Sequence, residues 1–532
     1  MDNASKIGQS SAVGSVQLFL GKTVATAVTA VGTIILGLFI LPTEYGLYTI
    51  ALIPASAVLL FQDWGVGAAL TRGVAQCRAA NSEAELRRII KAGLIFEVAT
   101  GLLLTFASLL MAPFLASIVF AKPESALLIA LISVSILSTA VLATAQSIFI
   151  GFERMKLSSV TMICQAAAQG IVSVLLVYLG YGALGAALGL TIGSAIAGAV
   201  SACLLYFAIF NKLDPDSSSS PNLAQVLRPL LKYGVPLAVG SILAGVLGQF
   251  YSFMMASYVG TETIGNYKVA VNFTVLLAFF SVPISTVLFP VFSKIHPNKE
   301  KQLLKSVFAS SAKYAALLLV PASMALMLLS KPIIETLYGN KWPFAPPFLA
   351  LFAAGTLLII FGNLSVTSLL TALGETKLLM KLNLLTLALG IPLCFLLIPP
   401  LGITGLIIVS IVDGIPSLLI SVYISWKRYE TIADLKSTTK ILIASAIAAT
   451  ITYLTLNTLH TASWIQLVSG ATLFLITYLV AAPLVGAINQ TDINTLRTMF
   501  SGLGPLSKLL EIPLAIIEKP LRTRTKHDER TL

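Results

Sequence analysis

The chain has 532 residues, of which 57% are hydrophobic and 11% are charged, and its formal net charge is +12 at pH 7. Soluble domains carry about 25% charged residues, so this composition excludes a soluble enzyme, a nucleic-acid-binding module and a disordered protein. The four cysteines are scattered and histidine occurs three times, so we expect neither a disulfide framework nor a zinc site. The composition predicts a protein that crosses a membrane many times, without a resident cofactor or metal.

Apolar stretches recur along the whole chain, and each is long enough to cross the hydrocarbon layer as a helix of about 20 residues. They predict an all-α integral membrane fold with about fourteen transmembrane helices. The predicted spans are 13–41, 46–70, 92–117, 125–150, 159–179, 183–210, 233–258, 269–292, 307–330, 347–372, 383–400, 403–425, 441–458 and 463–487.

The basic residues are distributed unequally between the two sides of the predicted membrane. Most lysines and arginines fall in loops on the side of the N-terminus and in the tail. The predicted outer loops carry Lys122, Lys268, Lys331 and Lys341. Basic loops face the cytoplasm, so the pattern predicts a multi-pass protein of the cell membrane with both termini in the cytoplasm.

Short patterns recur about 220 residues apart and indicate an internal repeat. Gly46-Leu-Tyr-Thr-Ile-Ala51 matches Gly265-Asn-Tyr-Lys-Val-Ala270, and Gly182-Ala-Leu-Gly185 matches Gly402-Ile-Thr-Gly405. Six helices per copy give two parallel lobes, an arrangement found in transporters that bind substrate between their halves. The predicted organisation is an N-terminal lobe at 1–210, a cytoplasmic linker at 211–232, a C-terminal lobe at 233–426, two further helices at 427–487, and an amphipathic and basic cytoplasmic tail at 488–532.

Several motifs give the chain a resemblance to a known transporter family. They are Glu44-Tyr-Gly-Leu-Tyr48, Asp63-Trp-Gly-Val-Gly-Ala-Ala-Leu-Thr-Arg72 and Leu373-Gly-Glu-Thr-Lys377. Over about residues 10–430 the chain resembles the Wzx-like polysaccharide flippases of the multidrug/oligosaccharidyl-lipid/polysaccharide exporter superfamily. Relatives often carry an acidic–basic pair in the seventh helix, where this chain has Tyr251 and Ser252.

The resemblance implies two lobes around a central cavity and a flippase rather than an enzyme. The expected substrate is a lipid-linked oligosaccharide, carried from the cytoplasmic to the outer leaflet by alternating access. The expected partners are this substrate and membrane lipids, without nucleic acid, and the protein is expected to function as a monomer. No GxxxxGK[ST] loop is present, so the expected source of energy is an H⁺ or Na⁺ gradient or the consumption of the product outside.

A cation inside the first span is the leading candidate for contact with a phosphate-bearing headgroup, because charge is costly within a membrane. Lys22 shares one helical face with Thr26, Thr29 and Thr33. Alternatively, Lys22 extends its ammonium to the membrane surface or pairs with a carboxylate. Lys313 lies near an inner membrane edge, where extension to the surface is the favoured interpretation.

Two further polar faces are candidates for the substrate cavity. Gln165 and Gln169 lie on the fifth span, and Gln249 and Ser252 lie on the seventh. Ordinary hydrogen bonding between helices is the alternative explanation for each face.

Three acidic positions within or beside the spans complete the candidates. Asp413, near the middle of the twelfth span, is predicted to couple transport to an ion, with a structural hydrogen-bonded acid as the alternative. Asp63 and Arg72 are assigned to gating or structure. Glu97 is expected to face water or to pair with a nearby basic residue of the inner loop.

Two other functions remain open at this point. A multidrug or cation antiporter of the same superfamily would have twelve helices and a less cationic cavity. A membrane polysaccharide polymerase or ligase would need an outer catalytic loop, for which the short outer loops leave little room.

Overall fold

The computed structural model describes residues 3–213, 223–458, 461–501 and 518. Within these ranges the chain forms α-helices joined by short turns and contains no strand. The helices are α1 Asn3–Phe39, α2 Pro42–Leu59, α3 Val66–Ala79, α4 Glu83–Phe114, α5 Ala126–Gly151, α6 Met155–Leu176, α7 Gly182–Ala208, α8 Leu223–Tyr258, α9 Thr261–Phe273, α10 Val275–Ser293, α11 Lys301–Tyr338, α12 Ala345–Thr356, α13 Asn363–Ala372, α14 Thr376–Val412, α15 Gly414–Tyr429, α16 Leu435–Thr458, α17 Ser463–Val485 and α18 Gln490–Ser501. The centre of the predicted linker and nearly all of the tail beyond residue 501 lie outside the described residues.

The helices confirm the all-α membrane fold. In the described chain, ten helical stretches are long and apolar enough to cross a membrane, or eleven if α12 and α13, bent by 58°, form one broken span. One of the ten stretches, 155–212, contains 58 residues, enough for two crossings at about 20 residues each. Another, 376–429, is broken at Gly402, where φ is +58°. The count of fourteen stays a prediction.

Large apolar side chains cover the outside of the helices, as expected for a protein surrounded by lipid. On α4, Leu103, Phe106 and Leu110 each expose more than 60% of their surface. Such a face would be unfavourable in water. The protein is therefore a multi-pass membrane protein.

The second predicted span is interrupted between α2 and α3. Trp64 and Gly65 both have positive φ values, +46° and +75°, which end α2 and turn the chain. Asp63 Oδ1 then accepts a 2.6 Å hydrogen bond from the Gly67 N–H in the first turn of α3, as a helix-capping side chain does. A side chain at Gly65 would overlap the backbone of Gly234 in α8, so the turn requires glycine for this close approach as well.

The chain divides into two compact units. Unit 1 comprises residues 1–272 and 390–406, and unit 2 comprises residues 273–389 and 407–532. These boundaries differ from those of the predicted lobes, because α8 and most of α9 belong to unit 1. One reason that α8 belongs to unit 1 is the close approach between the backbones of Gly65 and Gly234. The predicted lobe boundaries and the symmetry between the lobes stay predictions.

Candidate functional site

Unit 1 contains a cavity of about 200 Å³, whose mainly apolar wall carries a few polar side chains. The cavity is bounded by α1, α2, α6, α7 and α9, and it is lined by Thr29, Gly32, Thr33, Leu36, Tyr45, Tyr48, Leu52, Ala166, Gln169, Gly170, Ser173, Leu190 and Lys268. A volume of this size has room for several water molecules or for one small polar or anionic group.

Reciprocal glycine contacts set α9 against α2 at the edge of this cavity. A Cβ at Gly46 of α2 would overlap the backbone of Thr261, and a Cβ at Gly265 of α9 would overlap the carbonyl of Pro42. Both glycines begin the sequence pattern that recurs along the chain. Their missing side chains let the two backbones approach closely. Three residues after Gly265, the same helix presents Lys268 to the cavity.

Small residues bring the other walls of the cavity together. A Cβ at Gly32 of α1 would lie 3.1 Å from the Cα of Gly170 in α6, and one at Gly193 of α7 would overlap the backbone of Gln169. Gly189 meets Ser173 in the same way. Helices α1, α6 and α7 therefore pack at close range. This packing holds the polar side chains between them in position.

Hydrogen bonds orient the polar groups of the lining. Gln169 Nε2 donates to Ser194 Oγ at 2.9 Å, and Asn272 Nδ2 donates to the Tyr45 hydroxyl at 2.9 Å. The rings of Tyr45 and Tyr48 stack with their centroids 6.1 Å apart. The hydrogen bond between Asn272 and Tyr45 also joins the end of α9 to α2 and so helps to hold Lys268 in place.

Lys268 is the cation of the cavity. It is half-buried, and the described part of the chain gives its ammonium neither a carboxylate within 4.0 Å nor a hydrogen-bond acceptor. A cation in a cavity that is partly shielded from bulk water attracts an anion, because less water screens the charge there. The site is therefore suited to bind a phosphate or carboxylate group.

The structure brings some of the predicted cavity residues together and leaves others apart. Thr29 and Gln169 line the cavity. Lys22 and Thr26 lie on exposed surface of α1, where the Thr26 hydroxyl donates to the Lys22 carbonyl at 2.9 Å. Gln165 is half-buried on α6 but is not part of the lining.

The two predicted residues of α8 also lie outside the cavity lining. Gln249 Oε1 accepts a long hydrogen bond of 3.5 Å from Ser56 Oγ of α2. The Ser252 hydroxyl donates to the Gly248 carbonyl of its own helix at 2.9 Å. Whether either side chain contacts substrate stays a prediction.

Among the predicted coupling and gating residues, Asp413 and Asp63 lie beside helix ends and Arg72 lies within α3. Asp413 belongs to unit 2, is 4% exposed and stands between α14 and α15. Asp63 caps α3. The guanidinium of Arg72 lies 4.5 Å from the ring centroid of Tyr233, a cation–π contact that joins α3 to α8. The geometry of Asp63 and Arg72 is that of residues that hold a helix junction.

Sequence reasoning missed Lys268 as a cavity residue because it was assigned to an outer loop. A signal was available in the recurring pattern, since Gly265-Asn-Tyr-Lys contains both the glycine that approaches α2 and the lysine. The pattern was used only to detect a repeat. Tyr45, Tyr48 and Ser173 were also missed, because their polar ends belong to otherwise apolar helices.

These features define an all-helical, multi-pass membrane protein with a lysine-bearing cavity inside one of its compact units. A family model described as "Polysaccharide biosynthesis protein" matches residues 35–346. This match covers more than half of the chain, and the chain belongs to that family.

Relatives of known name agree with the family. The chain is 30% identical over 206 residues to the lipopolysaccharide biosynthesis protein WzxC of Escherichia coli (strain K12), covering 38% of this chain and 41% of that protein. It is 25% identical over 169 residues to the probable low-salt glycan biosynthesis flippase Agl15 of Haloferax volcanii, covering 31% of this chain and 36% of that protein. The chain thus spans less than half the length of these two relatives.

Solved structures share the fold at low sequence identity. The lipid II flippase MurJ in an inward closed conformation has a TM-score of 0.71 and 16% identity, over 88% of this chain and 98% of that one. A multidrug resistance MATE family transporter of the MOP superfamily, inward-facing, has a TM-score of 0.63 and 15% identity, over 77% of this chain and 96% of that one. The chain therefore has the fold that these two transporters share.

Proposed function

We propose that this protein is a flippase that moves a lipid-linked saccharide from the cytoplasmic to the outer leaflet of the cell membrane by alternating access. Membership of the polysaccharide biosynthesis protein family supports this function, as do the names of the relatives, a lipopolysaccharide biosynthesis protein and a glycan biosynthesis flippase. The observation that carries the proposal is the cavity with Lys268 in its wall and no carboxylate within 4.0 Å of that ammonium in the described chain.

The chemistry of flipping matches such a cavity. A phosphate-linked sugar pays a large penalty for leaving water, while its lipid tail can remain in the bilayer. Lys268 offers an ammonium to the phosphate, and Gln169 and Thr29 offer hydrogen bonds to an adjacent polar group. The volume of about 200 Å³ limits this contact to one phosphate or one sugar ring, so the rest of the headgroup lies elsewhere along the path.

The remaining parts of the proposal concern topology and energy. The excess of lysine and arginine in the predicted inner loops supports a cytoplasmic location for both termini. The protein works as a monomer, makes no covalent bond and draws on an H⁺ or Na⁺ gradient to which Asp413 couples. Lys22 lies on the exposed side of α1 and guides the headgroup as it enters.

Reconstitution tests the proposal. Liposomes containing the purified protein and a fluorescent lipid-linked oligosaccharide are treated with a quencher that cannot cross the membrane. We expect the inner-leaflet probe to become accessible in the presence of protein, without added nucleotide, while a fluorescent phospholipid that lacks sugar stays protected. The proposal would be refuted if the inner-leaflet probe became accessible to the quencher no faster than in protein-free liposomes. Export of a cationic dye instead would identify a drug antiporter.

A further inference from the structure

A buried carboxyl on α4 lies beside the break between α2 and α3. Glu97 is 2% exposed, and its Oε2 accepts a 2.9 Å hydrogen bond from Gln62 Nε2. Its Oε1 has no hydrogen-bond partner among the described residues. The charge of Asp63 acts on this carboxyl. The expectation that Glu97 faces water is therefore wrong, because the turn at residues 62–65 covers it.

Arg87, Arg88 and Lys91 are the basic residues expected to pair with Glu97, and two of them have other contacts. The guanidinium of Arg87 donates to the Leu213 carbonyl at 2.9 Å and stacks over the Phe210 ring. The ammonium of Lys91 lies 5.9 Å from the centroid of the same ring. No salt bridge to Glu97 occurs in the part of the chain that the structure describes. Neither arginine nor lysine compensates a negative charge on Glu97.

The helices around Glu97 contribute little further charge. The titratable group that faces it is Asp63, at the turn between α2 and α3. On α3, Arg72 stacks on Tyr233 of α8. The segment of α5 carries no ionisable side chain. The buried Glu97 carboxyl and the exposed Asp63 carboxyl therefore lie near each other, with an amide as the hydrogen-bond donor to Glu97.

A buried carboxylate is costly without a cation or several hydrogen-bond donors. A proton on Glu97 removes the charge and turns the unpartnered Oε1 into a donor, and Asp63 is the nearby acidic acceptor. A metal cation is less suitable, because hard cations take about six oxygen ligands. The described residues contain no group of three or more His, Cys, Asp or Glu side chains that could hold a metal ion.

We propose that Glu97, together with Asp63 and Gln62, forms a proton-binding site of this protein. Binding adds one proton to the Glu97 carboxylate, and release returns it to water. The site adjoins a junction of three helices, because Asp63 caps α3 through the Gly67 N–H and Gly65 packs on the backbone of Gly234 in α8. The protonation state of Glu97 acts on that junction through Asp63. The proposal does not depend on which substrate the protein moves.

Infrared difference spectroscopy of the purified full chain in lipid nanodiscs tests the site without any substrate. The spectra are recorded as a function of pH, and the absorption of protonated carboxyl groups is followed. We expect wild type to show a titrating carboxyl band that is absent in Glu97→Gln. Glu85→Gln, the same change at an exposed position of α4, should keep the band. An unchanged band in folded Glu97→Gln would overturn the proposal.

A second variant keeps the proposal testable if Glu97→Gln does not fold. Asp63→Asn removes the neighbouring charge but retains a capping side chain. We expect the Glu97 band to titrate at lower pH in this variant, because the carboxylate no longer faces a second negative charge. An unshifted titration would refute the pairing. Replacement of choline by sodium should leave the wild-type titration unchanged, and competition by sodium would identify a cation site instead.

Discussion

Two lysines that sequence reasoning placed near the membrane have opposite surroundings in the structure. In unit 2, Lys313 of α11 lies 2.6 Å from Asp492 Oδ2 of α18, with side-chain exposures of 14% and 10%. In unit 1, Lys268 borders a cavity and has no carboxylate within 4.0 Å in the described chain. The first charge is compensated within the protein, while the second has no such partner among the described residues.

The comparison shows how to separate structural from functional charge in a membrane protein. The interpretation that Lys313 extends to the surface is wrong, because Asp492 pairs with it and is itself held by the Asn489 N–H at 2.8 Å. A charge that is fully paired contributes to folding and gives little to transport. A charge that lies in a cavity without a partner costs folding free energy and is kept where it binds substrate.

The largest expected effect is on stability at the paired site. Asp492→Ala leaves the Lys313 ammonium poorly solvated, and we expect a loss of about 3 kcal/mol in the free energy of unfolding. Thermal unfolding in detergent measures it, with Glu262→Ala at an exposed position of α9 as the control. Flipping per folded molecule should stay at the wild-type level. A stable Asp492→Ala variant would contradict the structural role, and the double variant Lys313→Met/Asp492→Leu should recover most of the loss.

The next effect is on transport at the cavity. Lys268→Ala removes the ammonium that we propose contacts the headgroup, and we expect flipping to fall about thirtyfold, equivalent to about 2 kcal/mol for a hydrogen bond to a charged group. Lys268→Arg should keep part of the activity, because the charge remains while its shape changes. Lys331→Ala, at a lysine with 73% side-chain exposure, is the matched control. Wild-type flipping by a folded Lys268→Ala variant would exclude contact with the substrate.

Lys22 lies outside the cavity, so its substitution shows how much an exposed lysine contributes to flipping compared with Lys268. Because its side chain is exposed, we expect Lys22→Ala to slow flipping about fivefold, or about 1 kcal/mol, and Lys22→Arg to retain most of the activity. The same reconstituted flipping assay measures both variants. An effect equal to that of Lys268→Ala would mean that Lys22 contacts the headgroup as closely, and the absence of any effect would remove Lys22 from the path.

Asp413 tests coupling rather than binding. Asp413→Asn keeps the size of this buried side chain but removes its titratable charge, so we expect an imposed pH or sodium gradient to accelerate flipping less than in wild type. Rates with and without each gradient give the measurement, and Asp434→Asn, outside the spans, is the control. If the acceleration is unchanged, Asp413 has a structural role.

The smallest effect concerns an ion pair at the end of α15. The Tyr429 hydroxyl, which donates to Glu375 Oε1 at 2.6 Å, and the Arg428 guanidinium hold the pKa of Glu375 below its usual range. A lowered pKa in the folded state stabilises the protein above the usual pKa, and this stabilisation is lost as the pH falls through the folded-state value. We expect Glu375→Gln to cost about 0.5 kcal/mol at neutral pH and less at acidic pH. Thermal unfolding against pH checks this, and a pH-independent difference would contradict it.

The sequence by itself determined the class of protein and many local features of its helices. Apolar length predicts membrane helices because the cost of exposing backbone polar groups to lipid depends on local composition. The turn at Asp63-Trp-Gly65, in contrast, interrupts a span predicted to be continuous over 46–70, and it uses the conformational freedom of glycine and a capping carboxylate. The recurring glycine patterns marked positions where helices approach closely.

Tertiary structure alone decided which polar side chains meet. Lys313 and Asp492 are 179 residues apart in the chain, so no local pattern could pair them. Lys268 joins Thr29 and Gln169 because glycines of α2 and α9 approach each other's backbones. Glu97 is buried because a turn 35 residues earlier covers it. Whether a charge is paired or left for a ligand depends on which helix faces touch, and long-range packing fixes those contacts.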